Sequence, residues 1–470
     1  MNAAALIVVP ILAGLLLYFV PRKQSRVATA LAAVIAALTF VLAAADPHAA
    51  DASVRWLSRP FTASFHVGYG PVSYWIVLLL SLCTFGAALA IRGNRSRDVA
   101  AQLMVLQGAM NGVFLAKDVL LFALFWDLML IPVFLVLVGA TPHPRVAWKY
   151  LIYNLAGGLA LLLATAAFGV VTGTTDVIGT TAAQGVIGAS WGLWIFAGFA
   201  FAFLVKTPVF PFHTWMPDTY AELPPPFAAV VSGVQSKAGL YGFLVIGLPF
   251  LAPEMAQART LMMVLGSIAL IYGALAALAQ RDAKRVVAYS SLSHLGLILI
   301  AVFSGSSLAL RGAVVYMVAH GLFSAVLFLV LGGVEQREET RDLTRLGGLG
   351  ARNPKLAGAL TLGALAALGL PGLAGFSGEI MILTGVYGAG FVWPAIVALV
   401  AIVLAAAYML RLLQDSMNGP EVPDLPERRD LTWTEGIALA PLVAGFVLLG
   451  VNPGIVTSVL TEVTHVVGSR

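Results

Sequence analysis

The chain has 470 residues, of which 60% are hydrophobic and only 10% charged, and it carries a formal net charge of +5. Soluble domains average about 25% charged residues, so a soluble fold is excluded, and loop lysines and arginines explain the positive balance without nucleic acid. One cysteine, Cys83, excludes a disulfide scaffold, a CxxC zinc site and a cysteine-ligated iron–sulfur cluster, and no glycine-rich dinucleotide or P-loop motif occurs.

Runs of about 20 apolar residues, each long enough to cross a bilayer as a helix, recur throughout. They predict an all-α polytopic membrane protein of about 14 transmembrane helices. The first run, 2–20, lacks a basic leader and a small-residue cleavage site and reads as a retained span rather than a signal peptide. With spans at 27–45 and 70–91 it makes an N-terminal three-helix segment, 1–97. Five spans follow within 98–250, at 98–117, 118–140, 147–172, 189–216 and 226–250. Five more lie within 251–413, at 258–280, 285–303, 308–333, 355–388 and 391–413. An acidic loop and a final span, 433–452, occupy 414–470.

Spans seven and twelve are interrupted, the seventh by Pro208 and Pro211, the twelfth by "LGLPGLAGFSGE", Leu368 to Glu379. The two breaks fall at nearly the same offset from spans four and nine. Matching broken helices predict two inverted five-helix repeats with the working site at the breaks, although no residue-level identity links the halves. Basic residues crowd the odd-numbered connections, including Arg22, Lys23, Arg92, Arg95, Arg281, Arg285, Arg341 and Arg345. The positive-inside rule makes those loops cytoplasmic and puts both termini on the outer face, against which the net-acidic 414–432 loop argues weakly.

Six ionisable residues sit inside spans: Asp127, Lys206, Lys237, His294, His320 and Glu379. An intramembrane carboxylate or ammonium costs about 2.5–3.5 kcal/mol at a helix centre. Four such charges therefore face one another, water or backbone, and function is the default reading. The bland alternatives are a snorkelling Lys206, an Asp127 that merely partners a lysine, a Glu379 that caps the helix restarting after "GFSG", and histidines bonded to Ser290, Ser291 or Ser324. His213, beside Trp215 and three prolines, reads as a membrane-interface residue. Lysines, carboxylates and histidines over several spans suit proton hopping, since each group's charge alters its neighbour's hold on a proton. Broken helices suit it too, because freed backbone groups are tolerable at membrane depth only where they line a hydrated cavity.

"FLVKTPVFPFHTWMPDTYAELPPP", "LLFALFWDLMLIPVF", "KRVVAYSSLSHLG", "AHGLFSAVLFL" and "LGLPGLAGFSGEIMIL" resemble the antiporter-like membrane subunits of respiratory complex I, M-type subunits above all. The resemblance implies a proton-translocating subunit of an NADH-quinone oxidoreductase in a bacterial inner membrane, holding no cofactor itself. FMN, iron–sulfur clusters and quinone would belong to partner subunits, and the partners would be neighbouring antiporter-like subunits, a peripheral redox arm and lipid. It marks Lys206 as the broken-helix lysine, Lys237 as the central-axis lysine, His294 and His320 as the next polar positions and Glu379 as the exit-side group. Asp127 stands where the family usually has glutamate. Multisubunit cation/proton antiporters and membrane-bound hydrogenases contain similar chains, and sequence does not separate proton from sodium.

Overall fold

A computed structural model describes residues 3–47, 49–179, 185–417 and 430–458. The acidic loop expected at 414–432 lies mostly outside the described residues, as does 459–470. In chain order come α1 (Ala5–Leu17), α2 (Ser25–Ala45), strands β1 (Ala52–Leu57) and β2 (Ala63–Val67), α3 (Pro71–Ala90), α4 (Ser96–Leu115), α5 (Val119–Leu128), α6 (Leu130–Ala140), α7 (Pro144–Thr172) and α8 (Ala189–Lys206). There follow α9 (Trp215–Glu222), α10 (Pro225–Gly233), a 3-10 turn (Gln235–Lys237), α11 (Ala238–Gly242), a π-helical turn (Phe243–Gly247), α12 (Leu248–Phe250), α13 (Ala252–Ala279), α14 (Ala283–Phe303) and α15 (Ser307–Glu338). The remainder are α16 (Leu349–Arg352), α17 (Pro354–Ala367), α18 (Ala374–Gly388), α19 (Val392–Met417), α20 (Trp433–Val451) and α21 (Gly454–Thr457).

Every expected span contains helix, and 10 helical stretches among the described residues are long and apolar enough to cross a membrane. Three apolar helices are shorter, and two of these, Ser190–Lys206 and Pro354–Ala367, end at the expected breaks. The all-α expectation needs one correction. β1 and β2 pair antiparallel between α2 and α3, with Val54 and Trp56 of β1 exposed and Ala63 and Val67 of β2 buried. That connection is too polar to enter a membrane, and its alternating "ASVRWL" and "ASFHV" suit a half-buried hairpin.

Among the described residues the chain divides into two compact units, one running to Trp215 with Gln235–Leu261, the other comprising Met216–Val234 and residues 262–458. In lipid there is little hydrophobic force between helices, so small residues that allow close approach matter most. In the first unit Gly14 of α1 and Gly108 of α4 bring those two helices together: a Cβ at Gly108 would lie 2.6 Å from the Ile7 carbonyl oxygen. In the second, α15 runs 32 residues, roughly 48 Å at 1.5 Å per residue, and is buried throughout its most apolar stretch. It packs on α10, α14, α17, α18 and α20. The approach of α15 to α18 is closest at Gly312, Gly378 and Gly385, where a Cβ would collide with the facing helix.

Candidate functional site

In the first unit the three ionisable residues all lie at helix interruptions. Asp127 stands at the step between α5 and α6. Pro132 lacks the N–H that would bond the Leu128 carbonyl, which weakens the ladder there. Its carboxylate lies against Gly158 of α7, where an added Cβ would overlap Oδ1. Lys206 is the last residue of α8 and is buried, its Nζ 5.1 Å from the centroid of the Trp126 ring, a cation–π placement. Neither Lys206 Nζ nor Asp127 Oδ1 has a hydrogen-bond partner among the described residues.

A helix end leaves four carbonyls without partners. At the end of α8 the Thr207 N–H bonds Phe203 O at 2.9 Å and the Val209 N–H bonds Leu204 O at 3.1 Å. The Trp215 indole N–H bonds Val205 O at 3.0 Å. The protein thus satisfies three of the four and keeps the lysine at the lip of the break.

Lys237 departs from expectation. Span eight is not continuous: α10 ends at Gly233 and Lys237 closes a 3-10 turn, fully buried, with Nζ donating to Ser236 Oγ at 3.2 Å. The cause lies in the next turn. Gly239 presses on Phe203 O and Thr207 Oγ1, and Gly242 presses on the Phe203 ring, so α11 docks against the broken end of α8 at a distance only glycine permits. Short 3-10 and π segments of this kind mark functional positions in helices.

In the second unit the residues form a hydrogen-bonded line. Glu379 is not a helix cap: α18 restarts at Ala374, ahead of "GFSG", and Glu379 lies in its second turn. Its Oε1 accepts from the Tyr316 hydroxyl at 2.6 Å, and Oε2 lies where a Cβ on Gly369 (φ +77°) would stand. The Tyr316 oxygen also bonds His294 Nδ1. His294 Nε2 faces the Tyr408 hydroxyl at 3.4 Å. The His320 ring is 5.5 Å from the His294 ring, centroid to centroid, with Phe323 against both.

Ser290 and Ser291 bond the Val287 carbonyl, and Ser324 bonds Ser232 at 2.9 Å. His213 is buried and stacked on Phe210, with centroids 5.6 Å apart. Sequence reasoning missed Tyr316, Tyr408, Gly158 and Gly369. Tyr316 had a signal, since it precedes His320 by four residues and so shares its helix face. Among the described residues no group of three or more His, Cys, Asp or Glu could hold a metal ion.

The model of the NADH:quinone oxidoreductase/Mrp antiporter transmembrane family matches residues 116–405. The chain is 34% identical over 411 residues to NADH-quinone oxidoreductase subunit M of Rhodobacter capsulatus, covering 83% of this chain and 80% of the relative. It is 34% identical over 437 residues to subunit M of Pseudomonas aeruginosa, covering 88% and 83%. Its fold is similar to a chain of respiratory complex I from Thermus thermophilus with bound NADH, with a TM-score of 0.88 and 28% identity over 99% of this chain and 100% of that one.

Proposed function

The chain belongs to the NADH:quinone oxidoreductase/Mrp antiporter transmembrane family, and from that premise we propose that it is an M-type, proton-translocating membrane subunit of a bacterial NADH-quinone oxidoreductase. It moves protons through Asp127, Lys206, Lys237, His294, His320 and Glu379. It performs no redox step; flavin, iron–sulfur clusters and quinone belong to partner subunits of the membrane and peripheral arms. The observation that carries this reading is the buried line His294–Tyr316–Glu379 beside a helix break. Apolar residues would pack such a place at less expense, since intramembrane charges are costly and usually functional.

Two further observations support it. Both side-chain amide atoms of Gln107, with Asn111 Oδ1, Asn154 Oδ1, Thr165 Oγ1 and Thr207 Oγ1, are buried in the first unit without a protein partner. Buried polar groups of this sort are ordinarily satisfied by water, which a proton path needs. The inverted repeats and the fourteen-span count gain support from two matching devices. Asp118 caps α5 and bridges to Asp176, while Asp282 caps α14 and bridges to Asp342, about sixty residues downstream in each case. By the loop charges both termini face outward.

Glu379→Gln tests the reading, because it keeps the shape and removes the proton site, whereas Glu379→Asp keeps the chemistry. At matched complex abundance the Gln variant is expected to lose most proton translocation per electron, and the Asp variant to retain some. Unchanged stoichiometry in Glu379→Gln would reduce this glutamate to a packing residue. Cation exchange driven by an ion gradient, without NADH turnover, would favour the antiporter branch of the family instead.

A further inference from the structure

We propose that the Tyr316 hydroxyl is the obligatory carrier of the proton between His294 and Glu379, and that it passes one proton per cycle. This rests on the proton-relay reading above and assigns a relay role to a residue outside the six ionisable positions.

A phenol has one proton and can donate only once. Against an ionised Glu379, which only accepts, that proton lies toward Oε1 at 2.6 Å between oxygens. The phenol oxygen can then only accept from His294, so Nδ1 carries a hydrogen. When His294 is doubly protonated, its Nδ1 proton moves to the phenol oxygen as the phenol proton moves to Oε1. One N–H and one O–H bond break, two O–H bonds form, imidazolium becomes imidazole, and carboxylate becomes carboxylic acid. The phenol stays neutral throughout. Its new hydrogen now points at His294, and the Glu379 acid donates back to the phenol oxygen. A second proton cannot follow until Glu379 releases the first and the phenol hydrogen turns round.

The backbone is built to hold this spacing. Gly378, the residue before Glu379, faces Tyr316 so closely that a Cβ there would lie 2.7 Å from Tyr316 Cβ and 2.9 Å from its Cα. Tyr408 at 3.4 Å from Nε2 orients the far side of the imidazole, and His320 is the neighbouring ring from which His294 is reloaded. Among the described residues, Glu379, His294 and Tyr408 are titratable groups set against the phenol.

The test uses the intact complex reconstituted in vesicles, with NADH-driven proton uptake as the readout. Tyr316→Phe keeps the ring and removes the carrier, and proton transfer through a positioned acid–base group is worth about 10²–10⁴-fold, so uptake should fall to roughly a hundredth or less. Site-specific replacement of Tyr316 by 3,5-difluorotyrosine keeps the hydroxyl but makes it more acidic. Because the phenol O–H breaks and re-forms in the transfer, this replacement should retain uptake that Tyr316→Phe loses but alter its rate and its D2O isotope effect, which a purely structural tyrosine would not do. Glu379→Gln is measured alongside. Uptake lost in Glu379→Gln but kept in Tyr316→Phe overturns the tyrosine's role and leaves the relay intact, while uptake kept in both overturns the relay too. If Tyr316→Phe fails to assemble, a difluorotyrosine variant with unchanged rate and unchanged D2O isotope effect overturns the proposal by itself.

Discussion

Asp127 and Lys206 place a carboxyl and an amine in apolar surroundings with neither Lys206 Nζ nor Asp127 Oδ1 hydrogen-bonded among the described residues, and Gly158 leaves room for the carboxyl group. Gly158→Ala puts a methyl where Oδ1 lies, so Asp127 must swing away. The expected outcome is an assembled complex whose proton uptake drops severalfold, measured against NADH oxidation, and uptake equal to wild type would remove Gly158 from the site. Asp127→Asn should lose most uptake and Asp127→Glu should keep most of it, because only the first removes the charge that Lys206 senses. Equal damage from both would mean that geometry outweighs charge. The six ionisable residues were legible in the sequence because each interrupts an apolar run, where charge is costly. Tyr316 and Tyr408 were passed over because tyrosine is unexceptional in a membrane helix; the spacing to His320 pointed to Tyr316, whereas the Glu379–Tyr316 and His294–Tyr408 contacts join residues 63 and 114 apart in the chain.

Helix ends in this molecule are finished by side chains from a distance. Trp215 supplies the donor for Val205 O at the end of α8, and Trp215→Phe leaves that buried carbonyl unpaired, a loss of about 1–3 kcal/mol. A lowered melting temperature of the detergent-solubilised complex, with reduced uptake, is the expected outcome; an unchanged melt would show that another donor takes over. Asp430 performs the same service for α17, accepting from Lys355 N at 2.9 Å and Leu356 N at 3.1 Å in place of a local N-cap. Burial alone would raise the Asp430 carboxyl, but backbone N–H groups of Lys355, Leu431 and Leu356 outweigh it and hold the group below its ordinary value. A depressed carboxylate contributes stability above its unfolded value, about 3.9, that disappears as pH falls through the folded one. Asp430→Ala should therefore cost about 1 kcal/mol at neutral pH, with the gap to wild type closing below about pH 4. A gap independent of pH would assign the effect to packing. Hydropathy and proline placement made the helices and both expected breaks legible. The turn at Lys237 was hidden because no proline marks it and glycine contacts with α8 create it. The hairpin was hidden because its strands are short and lie in a loop.

At the scale of the whole chain, loop charge predicts an orientation that labelling can test. The hairpin connection should face outward and the loop after α15 inward. In the otherwise unlabelled protein, whose one native cysteine, Cys83, is buried, Ser58→Cys should react with an impermeant maleimide from the outer face and Thr344→Cys only from the inner face. The reverse pattern would invert the topology and with it the direction of every proton step. The most direct test of the central claim is NADH-driven acidification of inside-out vesicles carrying Lys206→Ala at wild-type abundance of assembled complex. Lys206 is the buried amine at the lip of the α8 break, and alanine in its place has no group to take and return a proton. Acidification should fall to roughly a tenth of wild type or less. Normal acidification by that variant would contradict the account.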